Sequence, residues 1–335
     1  MGQNGVLVLI GIVLALILTF LVIIRIAYRR SFRIGTETYT MERMLGIGTE
    51  GIVCAARRIR DQTRVALKWI WNPIRLSCDQ SLATLVPDHP HLVPVYDIGQ
   101  DSILGVSWIV FGYCPGTGMN TWIQNESPDP SLVRNILRDI GSGLVSLHAR
   151  GLVHGDVIPK NVLVDPETNQ ARLCDYGRMR RMGEDGTISS SMQKGVFRCD
   201  YLDTKSYPDR ASILPAVGAK WACHAPSPPE RFDETLVRNE TYDTWMWACT
   251  MICVLTGRAT PYADDHFNTR RRLDVRAWFV QTRAWESWPE WTEQYPQSHR
   301  LLFDLLQHAF VYDPRERWTV RACLSHPWFT TTSFP

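Results

Sequence analysis

Residues 154–161 have the sequence HGDVIPKN, and a second polar turn follows in LCDYG at residues 173–177. The first segment places the carboxylate of Asp156 and the carboxamide of Asn161 five residues apart on a loop. The second places another carboxylate, Asp175, on a turn. Side chains of these types can accept a proton from a substrate hydroxyl and can hold metal ions that prefer oxygen ligands.

A glycine-rich segment precedes these turns, with Gly-Ile-Gly-Thr-Glu-Gly at residues 46–51 after a predicted strand from Tyr39 to Leu45. The residues after it, IVCAARRI, a polar turn at 61–63 and RVALKWIW, predict a strand, a turn and a strand. A dinucleotide-binding fold would instead need a helix straight after the glycines and an acid about 20 residues further on. We therefore predict a hairpin lid over phosphates, because residues without Cβ let backbone N–H groups approach phosphate oxygens.

The order of the remaining elements predicts the fold class. Residues 103–113 have the pattern of strands, and a helical pattern follows Pro130 and ends near Gly151. Two short strands are predicted at 161–164 and 171–174, and the chain is mostly helical from Tyr242 onward. Strands first and helices later, without an internal repeat, predict an α+β body in two lobes.

Composition limits the class of protein further. The chain has 335 residues, 45% of them hydrophobic and 21% charged, which is globular and excludes a mostly disordered chain. The net charge of +2 gives no electrostatic footprint for nucleic acid, so no nucleic-acid partner is expected. The nine cysteines stand singly without a CxxC pair, which suggests neither a zinc site nor a disulfide framework.

An apolar segment near the N-terminus predicts a membrane anchor. Residues 6–24, VLVLIGIVLALILTFLVII, contain no charged side chain, and a helix of this length spans the roughly 30 Å hydrocarbon layer. A cleavable signal peptide would need a basic start, a shorter apolar run and a small-residue cleavage site. Four arginines follow the segment, so the positive-inside bias places the C-terminal side in the cytoplasm. These arginines are Arg25, Arg29, Arg30 and Arg33.

Four motifs together resemble those of the eukaryotic protein kinase family, in the family's order and at plausible separations. They are the glycine segment at 46–51, Val-Ala-Leu-Lys at 65–68, HGDVIPKN at 154–161 and LCDYG at 173–177. Further matches are Pro-Pro-Glu at 228–230, Asp-Thr-Trp at 243–245, Asp-Pro-Arg-Glu-Arg at 313–317 and His-Pro-Trp-Phe at 326–329. The resemblance covers about Tyr39 to Phe329.

The resemblance implies a divergent serine/threonine-type kinase with a small β-rich N-lobe and a larger helical C-lobe. The predicted segments are a short N-terminal segment at 1–5, a transmembrane helix at 6–24, a basic juxtamembrane linker at 25–38, a kinase domain at 39–329 and a tail at 330–335. Within the domain, the N-lobe is predicted at about 39–114 and the C-lobe at about 115–329.

The resemblance also implies ATP and Mg²⁺ as cofactors, with Lys68, Asp156, Asn161 and Asp175 converging around the nucleotide in the cleft between the lobes. Lys68 would hold the α- and β-phosphates, while Asp156 would orient the attacking hydroxyl and accept its proton. Asn161 and Asp175 would hold Mg²⁺, and Lys160 could reach the γ-phosphate. The other implied ATP-binding residues are Leu45, Gly46, Gly48, Gly51, Val53, Ala66, Gly112, Tyr113, Cys114 and Leu163. Glu230 and Arg317 are expected to form a buried ion pair.

Several positions depart from the family's pattern. Gly155 stands where the family has an Arg, and Ile158 stands where serine/threonine kinases place a Lys against the γ-phosphate. Lys160 resembles the placement of an Arg in many tyrosine kinases. The helix that should offer Glu to Lys68 presents either Asp79 or Gln80, and both alternatives stay open.

The function expected from the sequence is that of a membrane-anchored kinase, facing the cytoplasm, that phosphorylates Ser or Thr of protein substrates. The alternative is a membrane-anchored pseudokinase that acts as a scaffold or decoy. A small-molecule kinase of the aminoglycoside-phosphotransferase type also carries His-Gly-Asp before a downstream Asn. The Pro-Pro-Glu at 228–230 and the His-Pro-Trp-Phe at 326–329 do not belong to that group.

Overall fold

The computed structural model describes most of the chain from Ser31 onward. The described residues are 31–47, 51–70, 80–101, 106–126, 128–188, 227–233, 235–256, 272–287 and 299–331. The chain divides into two compact units. Of the described residues, the N-terminal unit takes those up to 84 together with 93–114, and the C-terminal unit takes 85–92 and those from 115 onward.

The N-terminal unit is built on an antiparallel sheet of six described strands. They are β1 (Ser31–Ile34), β2 (Glu37–Ile47), β3 (Gly51–Arg58), β4 (Arg64–Ile70), β5 (Val95–Asp101) and β6 (Val106–Gly112). Their order across the sheet is β1-β2-β3-β4-β6-β5. The predicted strands around the glycine segment and at 103–113 are thus confirmed for their described residues, and residues 102–105 and Gly48 lie outside the description.

The sheet begins earlier than the sequence predicts, because residues 31–38 of the predicted linker form β1 and the start of β2. Gly35 adopts φ +54° in the turn between these strands, a conformation that glycine reaches without strain. The hairpin brings Ile34 and Tyr39 into the core, where they are 2% and 1% exposed. Burial of these two side chains explains why the segment is part of the sheet.

One face of this sheet holds the core of the N-terminal unit. The members of this core are Ile34, Tyr39, Ala56, Val65, Leu67, Trp108 and Val110, with Phe32 and Trp69 packed against them. Leu67 on β4 lies opposite Cys54 on β3 and Val110 on β6, so their side chains share this face. Successive residues of a strand point to opposite faces, so Ala66 and Lys68 lie on the other one.

Gly51 opens β3 at a point of close backbone approach. A Cβ on Gly51 would lie 1.7 Å from the backbone oxygen of Trp69 on β4. A Cβ on Gly46, near the end of β2, would meet nothing within 4 Å. The two glycines of the same segment therefore face different constraints: the pairing of β3 with β4 requires Gly51, whereas space around Gly46 is open.

The segment predicted to offer a partner to Lys68 is only partly described. Residues 80–85 form a 3₁₀ helix, Gln80–Leu85, in which Leu82 and Ala83 are buried. Asp79 lies outside the described residues. The choice between Asp79 and Gln80 as the partner of Lys68 therefore stays open.

The C-terminal unit is mainly helical, which confirms the predicted α+β class. Its helices are α1 (Met119–Glu126), α2 (Pro130–His148), α3 (Thr241–Thr256), α4 (Arg272–Thr282), α5 (His299–Ala309), α6 (Val320–Leu324) and α7 (Pro327–Thr330). Its short strands are β7 (Thr117–Gly118), β8 (Leu152–Val153), β9 (Val162–Val164), β10 (Ala171–Leu173) and β11 (Arg180–Arg181). Strands β7, β9 and β10 form one small sheet, and β8 pairs with β11.

Helix α2 begins where the sequence predicts. The Asp129 side chain caps it by accepting a hydrogen bond from the Ser131 backbone N at 2.7 Å, and Pro130 occupies the first turn, where its missing N–H costs nothing. Buried apolar residues recur along one face, at Val133, Ile136, Leu137, Ile140, Leu144 and Leu147. This stripe is the amphipathic pattern of a helix packed on a core.

Helix α3 is the buried centre of the C-terminal unit. All of its residues from Thr241 to Thr256 are buried, as expected for a helix that is apolar on every side. The Trp247 indole donates to the backbone oxygen of Leu137 on α2 at 3.2 Å. Cys249 and Cys253 pack here as small buried residues, and burial raises the pKa of the Cys253 thiol well above its usual value.

Residues 272–287, which are rich in aromatic and basic side chains, contribute to the core of the C-terminal unit. Phe279 and Trp285 are buried and pack edge-on or tilted against Phe310, with ring centroids about 5 Å apart. Arg276 stacks its guanidinium over the Phe232 ring at 4.4 Å and donates to the backbone oxygen of Ser227 at 2.6 Å. These aromatic residues therefore pack in the core of the C-terminal unit.

Glu230 and Arg317 form the predicted buried ion pair. The guanidinium donates to both carboxylate oxygens, at 2.6 and 2.9 Å, and both side chains are fully buried. Arg317 also donates to the backbone oxygens of Val311 and Thr241, at 2.9 and 3.0 Å. The pair thereby joins three separate segments of the C-terminal unit.

Among the described residues, no helix combines the length and the apolar character needed to cross a bilayer. The predicted transmembrane segment, residues 6–24, lies outside the described part of the chain.

Replacement of Gly51 by Ala is expected to destabilise the protein by about 2 kcal/mol, because the new methyl group would overlap the Trp69 carbonyl. Gly46→Ala is the matched control, with an expected change within about 0.5 kcal/mol. Urea unfolding of the full chain in detergent, followed by tryptophan fluorescence, measures both. Equal effects from the two substitutions would contradict the close approach at Gly51.

Replacement of Arg317 by Met should lower the free energy of unfolding by about 3–5 kcal/mol, since it leaves the Glu230 carboxylate buried without its cation. Arg315→Met removes the same charge two residues away, where the pair with Asp313 is 3.9 Å long and exposed. That control is expected to change stability by less than about 0.5 kcal/mol. Thermal and urea unfolding distinguish the two variants, and a stable Arg317→Met protein would refute the structural role of the pair.

Candidate active site

The start of the loop at 154–161 is attached to α3 by the buried carboxylate of Asp243. Asp243 accepts hydrogen bonds from the backbone N of His154 at 2.7 Å and of Gly155 at 2.8 Å. It also accepts one from Nε2 of His148, at the end of α2, at 2.9 Å. Asp243 is fully buried, so these three donors compensate the removal of its charge from water. The start of the loop is thereby fixed to the centre of the C-terminal unit.

His154 connects this loop to the turn at 173–177. Its Nδ1 accepts from the backbone N of Asp156 at 3.2 Å, so Nε2 carries the hydrogen and donates to the Cys174 backbone oxygen at 3.2 Å. The imidazole also packs edge-on against the Tyr176 ring, with centroids 5.6 Å apart. Tyr176 stands where the resemblance leads us to expect a Phe, and its hydroxyl donates to the Leu173 backbone oxygen at 3.1 Å, so the additional polar group has a partner.

Gly155 occupies a position that other residues would enter only with strain. Its φ is +75°, and a Cβ there would lie 2.7 Å from the backbone oxygen of Arg178. The family's Arg at this position is therefore replaced by a residue that permits close contact between the loop and the segment around Arg178.

Asp156 and Asn161, predicted from the sequence as catalytic and metal-binding residues, lie in direct contact. The Asn161 amide nitrogen donates to the Asp156 side-chain Oδ2 and to its backbone oxygen, each at 2.9 Å. Asp156 is 8% exposed and Asn161 is 4% exposed. Below them, the Thr250 hydroxyl of α3 donates to the Val157 backbone oxygen at 2.9 Å and supports the loop.

Asp175, the second predicted metal ligand, lies next to Asn161 because of the β9–β10 hairpin. Val162 pairs with Leu173, and beyond that pair the Cys174 backbone N donates to the Asn161 backbone oxygen at 2.8 Å. Asp175 itself has φ +65°, a left-handed conformation that is unusual for a residue other than glycine. Strained backbone of this kind is found most often at functional sites.

The donor atoms of this group suit Mg²⁺. Both hydrogens of the Asn161 amide nitrogen are used by Asp156, so its amide oxygen is the atom available to a cation. Asp175 adds a carboxylate, and Mg²⁺ in nucleotide enzymes usually takes one or two protein oxygens plus phosphates and waters. Within the described ranges, no cluster of three or more His, Cys, Asp or Glu is arranged to hold a metal by itself.

Arg178 is a member of the site that the sequence analysis missed. Its Nη1 lies 3.4 Å from Oδ1 of Asp156, and its side chain is 19% exposed. The signal in the sequence that could have identified Arg178 is its position directly after Asp-Tyr-Gly at 175–177. The contact depends on a turn that brings residue 178 back against residue 156, which no spacing rule predicts.

The other predicted residues of the C-terminal unit differ in exposure. Ile158 is buried, at 8% exposure, so the position that holds a Lys in serine/threonine kinases is apolar and packed. Lys160 is exposed within the 3₁₀ turn Pro159–Asn161. Leu163, predicted to line the nucleotide pocket, is half-buried on β9.

The N-terminal unit brings together its own share of the predicted ATP-binding residues. Lys68 on β4 pairs with Val53 on β3, and Ala66 pairs with Phe111 on β6. Directly paired residues have side chains on the same face, so these four share the face opposite the core. Val53, Ala66 and Lys68 are half-buried there. This half-buried apolar surface, on which Lys68 lies, is suitable for the adenine ring of a nucleotide and for its phosphates.

Residues 112–114 and the glycine segment are the other predicted ATP-binding residues of this unit. The Gly112 backbone N donates to the Pro94 backbone oxygen at 2.9 Å. The Tyr113 hydroxyl accepts from Arg43 at 3.1 Å, and the Arg64 guanidinium stacks over the Tyr113 ring at 4.1 Å. Cys114 is half-buried, while Leu45 and Gly46 are exposed near the end of β2.

Comparison with known proteins relates the chain to protein kinases. The model of the protein kinase domain matches residues 39–207, half of the chain. Mitogen-activated protein kinase 1 of Oryza sativa subsp. japonica is 24% identical over 299 residues, which cover 86% of this chain and 71% of that protein.

Two further relatives carry serine/threonine kinase in their names. Serine/threonine-protein kinase GRIK1 of Arabidopsis thaliana is 23% identical over 312 residues, covering 87% of this chain and 66% of the relative. Serine/threonine-protein kinase PknD of Mycobacterium tuberculosis is 28% identical over 209 residues, covering 58% of this chain and 31% of the relative. The matched model and these relatives confirm the predicted enzyme class, an ATP-dependent protein kinase, and the chain belongs to the protein kinase domain family.

Proposed function

We propose that this chain transfers the γ-phosphate of ATP to Ser or Thr hydroxyls of protein substrates, with Asp156 as the catalytic base. The observation that carries the proposal is the buried contact of Asp156 with Asn161, beside Asp175. It supports the proposal because a base, an amide oxygen and a carboxylate are held together by backbone contacts in one unit. Phosphoryl transfer needs chiefly this kind of positioning and neutralisation of charge.

In the proposed reaction, the substrate hydroxyl oxygen forms a bond to the γ-phosphorus, and the bond from that phosphorus to the β–γ bridging oxygen breaks. Asp156 orients the hydroxyl and receives its proton, and ADP leaves with the broken bond's electron pair. Lys68 would hold the α- and β-phosphates. Asn161 and Asp175 would hold Mg²⁺ through oxygen atoms, and the ion, when bound, supplies neutralisation of phosphate charge. Lys160 would serve the γ-phosphate from the exposed side of the turn.

Selectivity for Ser and Thr is part of the proposal. Pro159 in the loop and the serine/threonine kinases among the relatives support it. Ile158 and Lys160 differ from the serine/threonine pattern, so phospho-amino-acid analysis of the product is the decisive measurement.

A pseudokinase that acts as a scaffold or decoy is the second candidate. The observations that favour it are the absence of a cation at Gly155 and at the buried Ile158, and the lack of a Glu at positions 79 and 80. All four chemistry-bearing positions are nevertheless filled, by Lys68, Asp156, Asn161 and Asp175, and this favours the enzyme.

The proposal includes a membrane anchor at residues 6–24 with the kinase domain on the cytoplasmic side. The uncharged length of that segment and the four arginines that follow it support this topology. The bilayer would then be a partner of the chain in addition to ATP and the protein substrates.

Asp156→Asn is expected to reduce transfer of label from [γ-³²P]ATP to a degenerate peptide pool with Ser, Thr and Tyr acceptors by at least about 10²-fold, because the base is removed. Asp88→Asn, an exposed carboxylate of the same unit, is the matched control and should keep wild-type activity. Both variants should still be stabilised by Mg-ATP in a thermal-shift titration of the full chain. Label on phosphotyrosine alone would contradict the Ser/Thr assignment.

The outcomes of this experiment separate the candidates. Full activity of Asp156→Asn would remove Asp156 from the mechanism. Stabilisation of the wild-type chain by Mg-ATP without any labelled peptide would instead indicate the pseudokinase.

The anchor is tested by extraction of membranes with alkaline carbonate. The full chain should remain in the membrane pellet, whereas Leu14→Lys with Leu16→Lys should move it to the supernatant, since each central Lys costs about 2.5–3.5 kcal/mol of insertion. Gln3→Lys with Asn4→Lys adds the same charges outside the apolar segment and is the control. Recovery of the wild-type chain in the supernatant would contradict the anchor.

A further inference from the structure

The loop around the proposed base carries no cation at two positions where the family's pattern has one. Residue 155 is a glycine, and residue 158 is an isoleucine with 8% exposure. A cation nevertheless lies against the base, because Nη1 of Arg178 is 3.4 Å from Oδ1 of Asp156. This cation comes from the turn after Asp175 and not from the loop itself.

The backbone of Arg178 is held against the loop by several contacts. Residues 176–178 form a 3₁₀ turn, which the Met179 backbone N closes by donating to the Tyr176 oxygen at 3.1 Å. The following strand β11 pairs with β8, with Arg180 opposite Val153 directly before the loop. The position of Arg178 relative to Asp156 is therefore set by backbone pairing on both sides.

Gly155 is part of the same arrangement. The Arg178 backbone oxygen lies so close to Gly155 that a Cβ at residue 155 would be 2.7 Å from it. The replacement of the family's Arg by Gly155 and the contact of Arg178 with Asp156 thus occur together in one packed turn. The glycine both removes a cation from the loop and admits the segment that brings another.

The two oxygens of Asp156 have different partners. Oδ2 accepts from the Asn161 amide nitrogen at 2.9 Å, and Oδ1 faces the Arg178 guanidinium. The Asp156 and Arg178 side chains are 11% and 19% exposed, so solvent screens their attraction less than that of a surface pair. With one partner at each oxygen, rotation of the carboxylate is restricted from both sides.

We propose that Arg178 is a positioning residue for phosphoryl transfer, in which its guanidinium holds the Asp156 carboxylate in its working orientation. This inference rests on the proposed function, in which Asp156 accepts the proton of the substrate hydroxyl. Arg178 acts through Asp156 and has no assigned contact with ATP, so its removal affects the transfer step and leaves nucleotide binding intact.

The test compares Arg178→Gln, Arg178→Lys and Arg181→Gln in the full chain, with [γ-³²P]ATP and the same degenerate peptide pool. Arg181 is exposed on β11, three residues further on, and its substitution removes the same charge. Arg178→Gln should lower kcat by about 10²-fold, with the KM for ATP unchanged within about twofold. Arg178→Lys should recover part of this loss, because a point charge can serve a contact made by one nitrogen. Arg181→Gln should retain wild-type kcat.

Each result either supports the inference or overturns it. A kcat for Arg178→Gln within about threefold of wild type would overturn it, as would an Arg178→Lys enzyme as slow as Arg178→Gln. If Arg178→Gln also unfolds at lower temperature, the Lys variant and the unchanged KM for ATP decide between positioning and folding. An inactive wild-type chain would refute the proposed function itself, and this result is distinct from an active chain that does not need Arg178.

Discussion

The fully buried carboxylate of Asp243 is the interaction on which the arrangement of the site depends. A charge with no access to water must be compensated by hydrogen bonds, and here two of the three donors are consecutive backbone N–H groups of the catalytic loop. The third donor, His148, belongs to α2. Helix α3 thereby fixes where the loop starts, and the contacts of His154 carry that position on to the turn containing Asp175.

Local sequence patterns predicted the helices and hairpins that are defined by residues close together in the chain. The hairpin around residues 61–63, the helix after Pro130 and the paired short strands at 161–164 and 171–174 all follow from turn residues and periodicity. The Glu230–Arg317 pair could be predicted from motifs because two charges far apart in sequence had a known place in the family. The pairing of β1 with β2 and the contact of Arg178 with Asp156 depend on the tertiary fold, which no periodicity or motif encodes.

The departures from the family's pattern form a connected group in the structure. Gly155 and Arg178 are far apart in the sequence, yet the close approach at Gly155 brings them together. A departure from the family's pattern at one position, such as the missing cation of the loop, can be compensated by a residue that is a neighbour only in the folded structure. The hydroxyl of Tyr176 is a second instance, because the Leu173 backbone accepts its hydrogen bond.

The early start of the sheet at Ser31 leaves only a short tether in the proposed membrane topology. Six residues, 25–30, separate the end of the apolar segment from β1, and a fully extended chain of that length reaches only about 20 Å. The kinase domain would then be tethered close to the bilayer. Acceptor proteins embedded in or docked on the same membrane would meet it at high local concentration, while freely diffusing ones would have to come to the surface.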